Sequence, residues 1–318
     1  MNRRQFLATT ATTVAAVQAT RGLAAPAAGY QVLAADKGQV ALIGIDGKPT
    51  WKRPLRAEVH DINLLPGGGV LLPVARDRVA EWDKDGKEVW SYQAAKVPGN
   101  PGHIEIHAVQ RLANGLTLVA ESGNKRLVEV DRSGKVVHEV ALKVDKPNPH
   151  RDTRLVRKTS DGTYLVCHEG DGTVREYDSN GKVVWAHALD LAGRPRSGGH
   201  GPEGHGTEVY GAFRSAKGTT FIAAGNGNRV YEVDREGKTL WSLEQKELPG
   251  IVLAWVTTLH LLPSGNIIVG NCHAGPENPQ LIEVTRDKKV VWSFRDFNVF
   301  GNGLAAAHVV GVPEGTIR

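Results

Sequence analysis

The sequence holds only two cysteines in 318 residues, Cys167 and Cys272. Two are too few for a disulfide scaffold, and sequence alone does not bring them within bridging range. There is no long run of Lys and Arg. The formal charge of +5 is spread along the chain, which argues against nucleic acid as a partner. Beyond the first thirty or so residues, no segment stays apolar for the roughly eighteen residues that a membrane helix needs. No stretch has a helical 3.6-residue period, and no acidic cluster suggests calcium. What is present is ordinary globular composition, 41% hydrophobic and 23% charged, with 37 glycines. That glycine content predicts a chain full of turns.

The start differs from the rest. "MNRRQFLATTATTVAAVQATRGLAAPAAG" has a basic beginning, a Thr/Ala-rich middle and small residues near 22–28. This is the layout of an export signal. Arg3, Arg4, Phe6 and Leu7 resemble the twin-arginine signal R-R-x-F-L. The resemblance implies a signal peptide over 1–27 and one mature domain over 28–318. The mature protein is then expected to be periplasmic or secreted, with no membrane span.

One phrase recurs along the chain: "AEWDKDGKEVW" at 80–90, "VEVDRSGKVVH" at 128–138, "REYDSNGKVVW" at 175–185, "YEVDREGKTLW" at 231–241 and "IEVTRDKKVVW" at 282–292. A shorter relative, "IGIDGKPTW", sits at 43–51. A period of roughly 40 to 55 residues points to solenoids, propellers or arrays. Each unit has short apolar runs broken by Gly-bearing turns, which reads as four strands, A to D. The D-x-x-G-K turn joins C to D. Its glycine suits a left-handed backbone, so Lys288 in the last copy predicts a strained or differently shaped turn. The recurring Trp (Trp51, Trp90, Trp185, Trp241, Trp292, with His138 in the third copy) is expected to wedge between neighbouring sheets. Five complete units span 60–292. Residues 30–51 supply B, C and D, and the C-terminal segment supplies an A strand. Both chain ends then complete one blade, as a closed ring requires. The expected fold is all-β: a six-bladed β-propeller with four antiparallel strands per blade.

The D-x-x-G-K-x-x-W hairpins resemble the repeats of PQQ-like, quinoprotein-type β-propellers. "HDINLLPGGGVLL" and "HAVQRLANGLTLV" also resemble the repeats of the arylsulfotransferase group. Such motifs specify blades better than chemistry.

Up-and-down strands put the A–B and C–D turns on one face of the disc, and the B–C loops and D-to-A connections on the other. The second face takes nine of the twelve histidines: His103, His150, His200 and His205 in D-to-A connections, His168 and His273 in B–C loops, and His60, His107 and His308 at or near A-strand starts. Loops held by a rigid scaffold are the usual home of binding residues. At the channel mouth the aligned positions are His60, His107, Arg154, Tyr210, Thr257 and Ala307, with His308 one residue out of register. The expected ligand-binding set is therefore His60, His107, Arg154, Tyr210, His168, His200, His205, His273 and His308. Taken singly, a histidine at a strand start more often bonds a backbone carbonyl. A buried free Cys beside a His more often packs than binds metal.

Three functions fit. The first is an exported binding protein that holds a small molecule, a metal or a protein partner at this face. The second, implied by the arylsulfotransferase resemblance, is an enzyme with a channel His as nucleophile, drawing on His60, His107, Arg154 and His308. The third is another propeller enzyme such as a lyase. The sequence names no cofactor. A divalent metal is compatible with His200, His205 and His273, whereas PQQ is disfavoured because PQQ dehydrogenases are larger and carry a calcium site.

Overall fold

The computed structural model describes residues 29–318. The expected signal segment, 1–27, lies outside the described residues. Six four-stranded antiparallel sheets are arranged in sequence, each ordered A-B-C-D. We number the blades by their position along the chain. Blades 1 to 5 take their D strands from Glu88–Gln93, Val136–Ala141, Val183–Ala188, Thr239–Leu243 and Val290–Phe294. Blade 6 joins Ala306–Val310 as its A strand to Gln31–Asp36, Gln39–Ile43 and Pro49–Pro54. Leu33 pairs with His308 and Ala34 with Ala307 across that seam. Among the described residues no helix is long and apolar enough to cross a membrane.

Burial follows strand position. Inner strands such as Thr117–Ser122 and Tyr164–His168 are buried at every residue. D strands alternate with solvent, as in Val183–Ala188. An inner strand is apolar on both faces because each face meets a different neighbouring blade. Six apolar clusters result, one at each junction. Leu71, Val79, Val109 and Val119 fill the one between blades 1 and 2, and Leu33, Val40, Val70 and Leu72 the one between blades 6 and 1. A sheet that buries both faces in this way has no free side on which to slip register.

The repeated hairpin explains itself residue by residue. Asp131 Oδ1 accepts the amides of Ser133 (2.8 Å) and Lys135 (3.0 Å), and Gly134 sits at φ 84°. Lys288 adopts the same left-handed geometry, at φ 61°. The turn keeps its shape, and the strain of a side chain in that region is carried there. In every blade the C–D register shifts once beside this turn. The shift sets a C-strand glutamate opposite the D-strand aromatic, as in Glu81 with Trp90, Glu176 with Trp185 and Glu232 with Trp241.

Those pairs reach the next blade. Trp90, Trp185 and Trp241 donate from Nε1 to the carbonyls of Asp131, Arg235 and Arg286, at 3.1, 2.8 and 2.9 Å. Arg214 and Arg286 lie over the Trp185 and Trp241 rings, at 4.9 and 4.7 Å, a cation–π arrangement. Glu176 accepts from Arg214 and Arg235, both at 2.5 Å. Blade 6 departs from the pattern: Leu42 stands opposite Trp51, whose buried Nε1 has no partner.

Candidate functional site

A cavity of about 730 Å3 opens on one face of the disc. Its wall is built mainly from B–C loops, D-to-A connections and the strand ends that flank them, with residues such as Asp36, Glu58, Arg154, Glu208, Trp255 and His273. A second cavity of about 380 Å3 shares Arg56, Glu58 and His60 with it and reaches Arg76, Glu105 and His107.

The inner wall is tightly knit. His60 of blade 1 meets Tyr210 of blade 4 across the axis: Tyr210 Oη donates to the His60 carbonyl at 3.1 Å and lies 3.1 Å from His60 Nδ1. The His60 and His107 rings meet edge to face at 4.7 Å. His107 is the unpaired residue of a β-bulge, since Ile106 and Ala108 pair with the adjacent Glu121 and Ala120. Such a bulge re-aims its side chain. Arg154 runs beneath. Its Nε forms an ion pair with buried Glu169, its Nη1 donates to His150 O at 2.5 Å, and its Nη2 lies 3.1 Å from His150 Nε2. Arg151 bridges Glu169 (3.0 Å) and Glu208 (2.9 Å), and Arg196 adds a bond to Glu208 (2.9 Å). Deeper in the channel, Arg157 grips Asp61 through two bonds, at 2.7 and 2.9 Å.

Electrostatics keep the mouth imidazoles neutral. Burial, reinforced by the Arg154 charge, lowers the His60 pKa, and the same two causes push His107 down to about 3. Burial drives the Tyr210 phenol well above its ordinary value. Contact with His60 draws Glu58 down to about 2 against the opposing effect of burial. The buried His60 Nε2 has no aligned hydrogen-bond partner, although the Glu58 carboxylate is 3.3 Å away.

The structure therefore brings together His60, His107, Arg154 and Tyr210, and on the outer wall His200 and His273, whose rings are 5.2 Å apart. It does not bring the others in. His168 is buried against the Asp152 carbonyl (2.7 Å) and Tyr177 Oη (2.8 Å). His205 is buried and bonds the Leu191 carbonyl at 2.8 Å, so it stands apart from His200 and His273. His308 accepts the Leu64 amide at 3.1 Å and lines a narrow separate cavity with His260 and Arg318. Its one-residue offset turns the ring toward the junction with blade 1. Thr257 is buried with its hydroxyl unpaired. Cys167 and Cys272 are both free and buried, and burial raises both thiols.

Several residues carry no repeat signal and were not expected at the mouth: Glu58, Glu105, Glu169 and Trp255. His150 was expected on this face but not in the ligand-binding set. Trp255 holds φ 36°, uncommon for a bulky residue. Its ring lies 4.5 Å from that of His200. The alternation His103-x-Glu105-x-His107 is a signal that could have identified Glu105.

The model of a repeat family described as outer membrane protein assembly factor BamB matches residues 7–161 and 106–294. The chain belongs to this BamB-type, PQQ-like propeller family. No curated protein matches it. Among solved structures, a protein of unknown function from Bacteroides caccae is similar at 22% identity, covering 89% of this chain and 99% of that one, with a TM-score of 0.74. A streptogramin B lyase is similar at 12% identity, covering 86% and 85%, with a TM-score of 0.57. A catalytically inactive virginiamycin B lyase from Staphylococcus aureus, solved with quinupristin, is similar at 14% identity, covering 86% of each chain, with a TM-score of 0.55. These likenesses show the fold alone.

Proposed function

We propose that this BamB-family propeller is an exported, periplasmic binding protein whose channel-mouth cavity holds a small polar molecule. One observation carries the reading. A concave site of about 730 Å3 gathers guanidiniums, carboxylates and imidazoles from distant parts of the chain, and beside them stands one apolar aromatic platform, Trp255 with His200. Pockets of this size with a few convergent polar groups are the usual form of small-ligand sites. The inner guanidiniums of Arg154, Arg151 and Arg196 are already paired with Glu169 and Glu208. They therefore present fixed hydrogen-bond donors rather than a free positive field. A neutral or zwitterionic ligand with a planar group fits this wall better than a polyanion. Export rests on the twin-arginine-like start and on the envelope role in the family's description.

The test is a fluorescence and thermal-shift screen of small polar compounds against the mature chain. A ligand is expected to quench Trp255 and raise Tm, and both effects are expected to vanish in Arg196→Ala/His200→Ala. Binding that survives both substitutions, or no binding across carboxylate, amine and heteroaromatic sets, overturns the reading.

A second reading has its own observation. The unpartnered His60 Nε2 is a neutral imidazole beside the cavity, as a nucleophile or general base of a transferase or lyase needs. It predicts turnover of an aryl sulfate or of streptogramin B that His60→Ala abolishes while ligand binding persists.

A further inference from the structure

At the edge of the ligand cavity, which His150 helps to line, one carboxylate and three imidazoles come together. Glu105 Oε2 is 2.9 Å from His107 Nε2 and 2.7 Å from His150 Nδ1, and these three atoms lie within 4.8 Å of one another. The other oxygen, Oε1, is 2.7 Å from His103 Nε2 and 3.9 Å from Arg76 Nε. From these contacts we infer that Glu105, His107 and His150 form a binding site for a first-row divalent transition metal, with His103 steadying the carboxylate.

The contacts behind these side chains support it. His107 Nδ1 lies 2.8 Å from the Thr153 carbonyl, which can only accept. Nδ1 therefore carries the ring hydrogen, and Nε2 presents a lone pair to the carboxylate. Two lone-pair groups facing one another at 2.9 Å are joined by a cation, a proton where the ring is charged and a metal ion where it is neutral. A ring N–H held by a backbone carbonyl is also the usual way a metal-binding histidine is oriented. Arg154 Nη1 lies 2.9 and 3.3 Å from the two His107 ring nitrogens. Reaching both at once puts it over the ring face, clear of the Nε2 lone pair. Its charge is offset by Glu169.

The local chain is shaped to bring these groups together. The bulge at His107 turns its ring to the mouth. Gly123, at φ 86°, lets the 103 segment pass so closely that a Cβ there would meet His103 O at 2.2 Å. In the ion-free arrangement Arg154 Nη2 donates to His150 Nε2, so His150 Nδ1 holds a hydrogen toward Glu105. Coordination moves that hydrogen to Nε2 and loosens this one Arg154 contact. His150 is half exposed and has room to turn. Two imidazoles and one carboxylate suit zinc, nickel or copper rather than magnesium or calcium. Three protein ligands also leave a position open toward the cavity that Glu105 and His107 line.

The test uses the untagged mature chain, treated with chelator and titrated with Zn2+ by calorimetry and with Co2+ by visible absorption. It is independent of any organic ligand, so its failure leaves the binding reading standing and the reverse also holds. One ion per chain is expected, with d–d bands showing nitrogen and oxygen ligation. Glu105→Gln and His150→Ala are each expected to weaken binding by about 100-fold or more, beyond the roughly 10–100-fold that loss of an outer partner costs. His150→Ala alters a half-exposed residue and should fold even if His107→Gln does not. His200→Ala/His273→Ala is expected to bind Zn2+ as the parent does. Absence of stoichiometric binding overturns the inference. So does binding that persists in Glu105→Gln and His150→Ala, or binding lost only with His200 and His273.

Discussion

The outer rim and the channel mouth of this propeller are built on opposite principles. At the rim, blades 1, 3 and 4 repeat one contact: a tryptophan N–H on the next turn's carbonyl, an arginine over its ring, and a glutamate on the arginine. At the mouth no such contact repeats. Equivalent A-strand positions hold His60, His107, Arg154 and Tyr210, and the contact between His60 and Tyr210 crosses the axis. The rim is where the sequence is redundant and the polar groups are mostly paired. The mouth is where the sequence is individual and His60 Nε2 and the Thr257 hydroxyl lack partners. Periodic residues hold the disc together, and the departures from periodicity mark the site.

Substitutions sharpen this contrast. The largest expected effect is at the rim. Glu176→Ala leaves buried Arg214 without its carboxylate, and loss of about 3–5 kcal/mol is expected, read as a lower urea midpoint. Next comes acid. Burial holds the folded pKa of His260 at about 3 and of His168 at about 4, below the ordinary 6.5. Above 6.5 both rings are neutral, folded or unfolded. As pH falls below it, the unfolded chain takes up protons that the folded one refuses. Stability should therefore fall between about pH 6.5 and 4 by about 1.4 kcal/mol per pH unit for each such ring. His260→Gln should flatten urea midpoints measured across that window.

Trp90→Phe loses the bond to Asp131 and is expected to cost about 1 kcal/mol in hydrogen bonding. Trp51→Phe should cost less, because its Nε1 has no partner. Paired chemical denaturation compares the two, and equal losses would remove the rim's claim to specificity. Lys288→Gly relieves the left-handed turn and is expected to stabilise by about 1 kcal/mol or less, since it also removes a surface ion pair with Glu247. The smallest change in stability belongs to the mouth: Arg196→Ala/His200→Ala should stay within about 0.5 kcal/mol per substitution while abolishing ligand binding.

The legibility of the sequence follows the same division. Blade number, the shared closing blade and the Trp wedge could be read because six copies of one hairpin average out local noise. Which face bears the histidines followed from topology alone. Which histidines enter the cavity did not. His168, His205 and His308 sit on the expected segments, yet each turns its ring into a backbone bond. Side-chain direction depends on register and bulges that spacing does not encode. Glu58, Glu169 and Trp255 were missed for the related reason that single loop residues carry no periodic signal. The junction glutamates were repeated in plain sight, but their partners are arginines one blade further on.

Native mass spectrometry of the untagged protein, isolated from the cells that make it, tests the mouth most directly. The parent chain is expected to carry a small-molecule adduct that Arg196→Ala/His200→Ala lacks. A bare parent chain, or an adduct kept undiminished by that double variant, would contradict it.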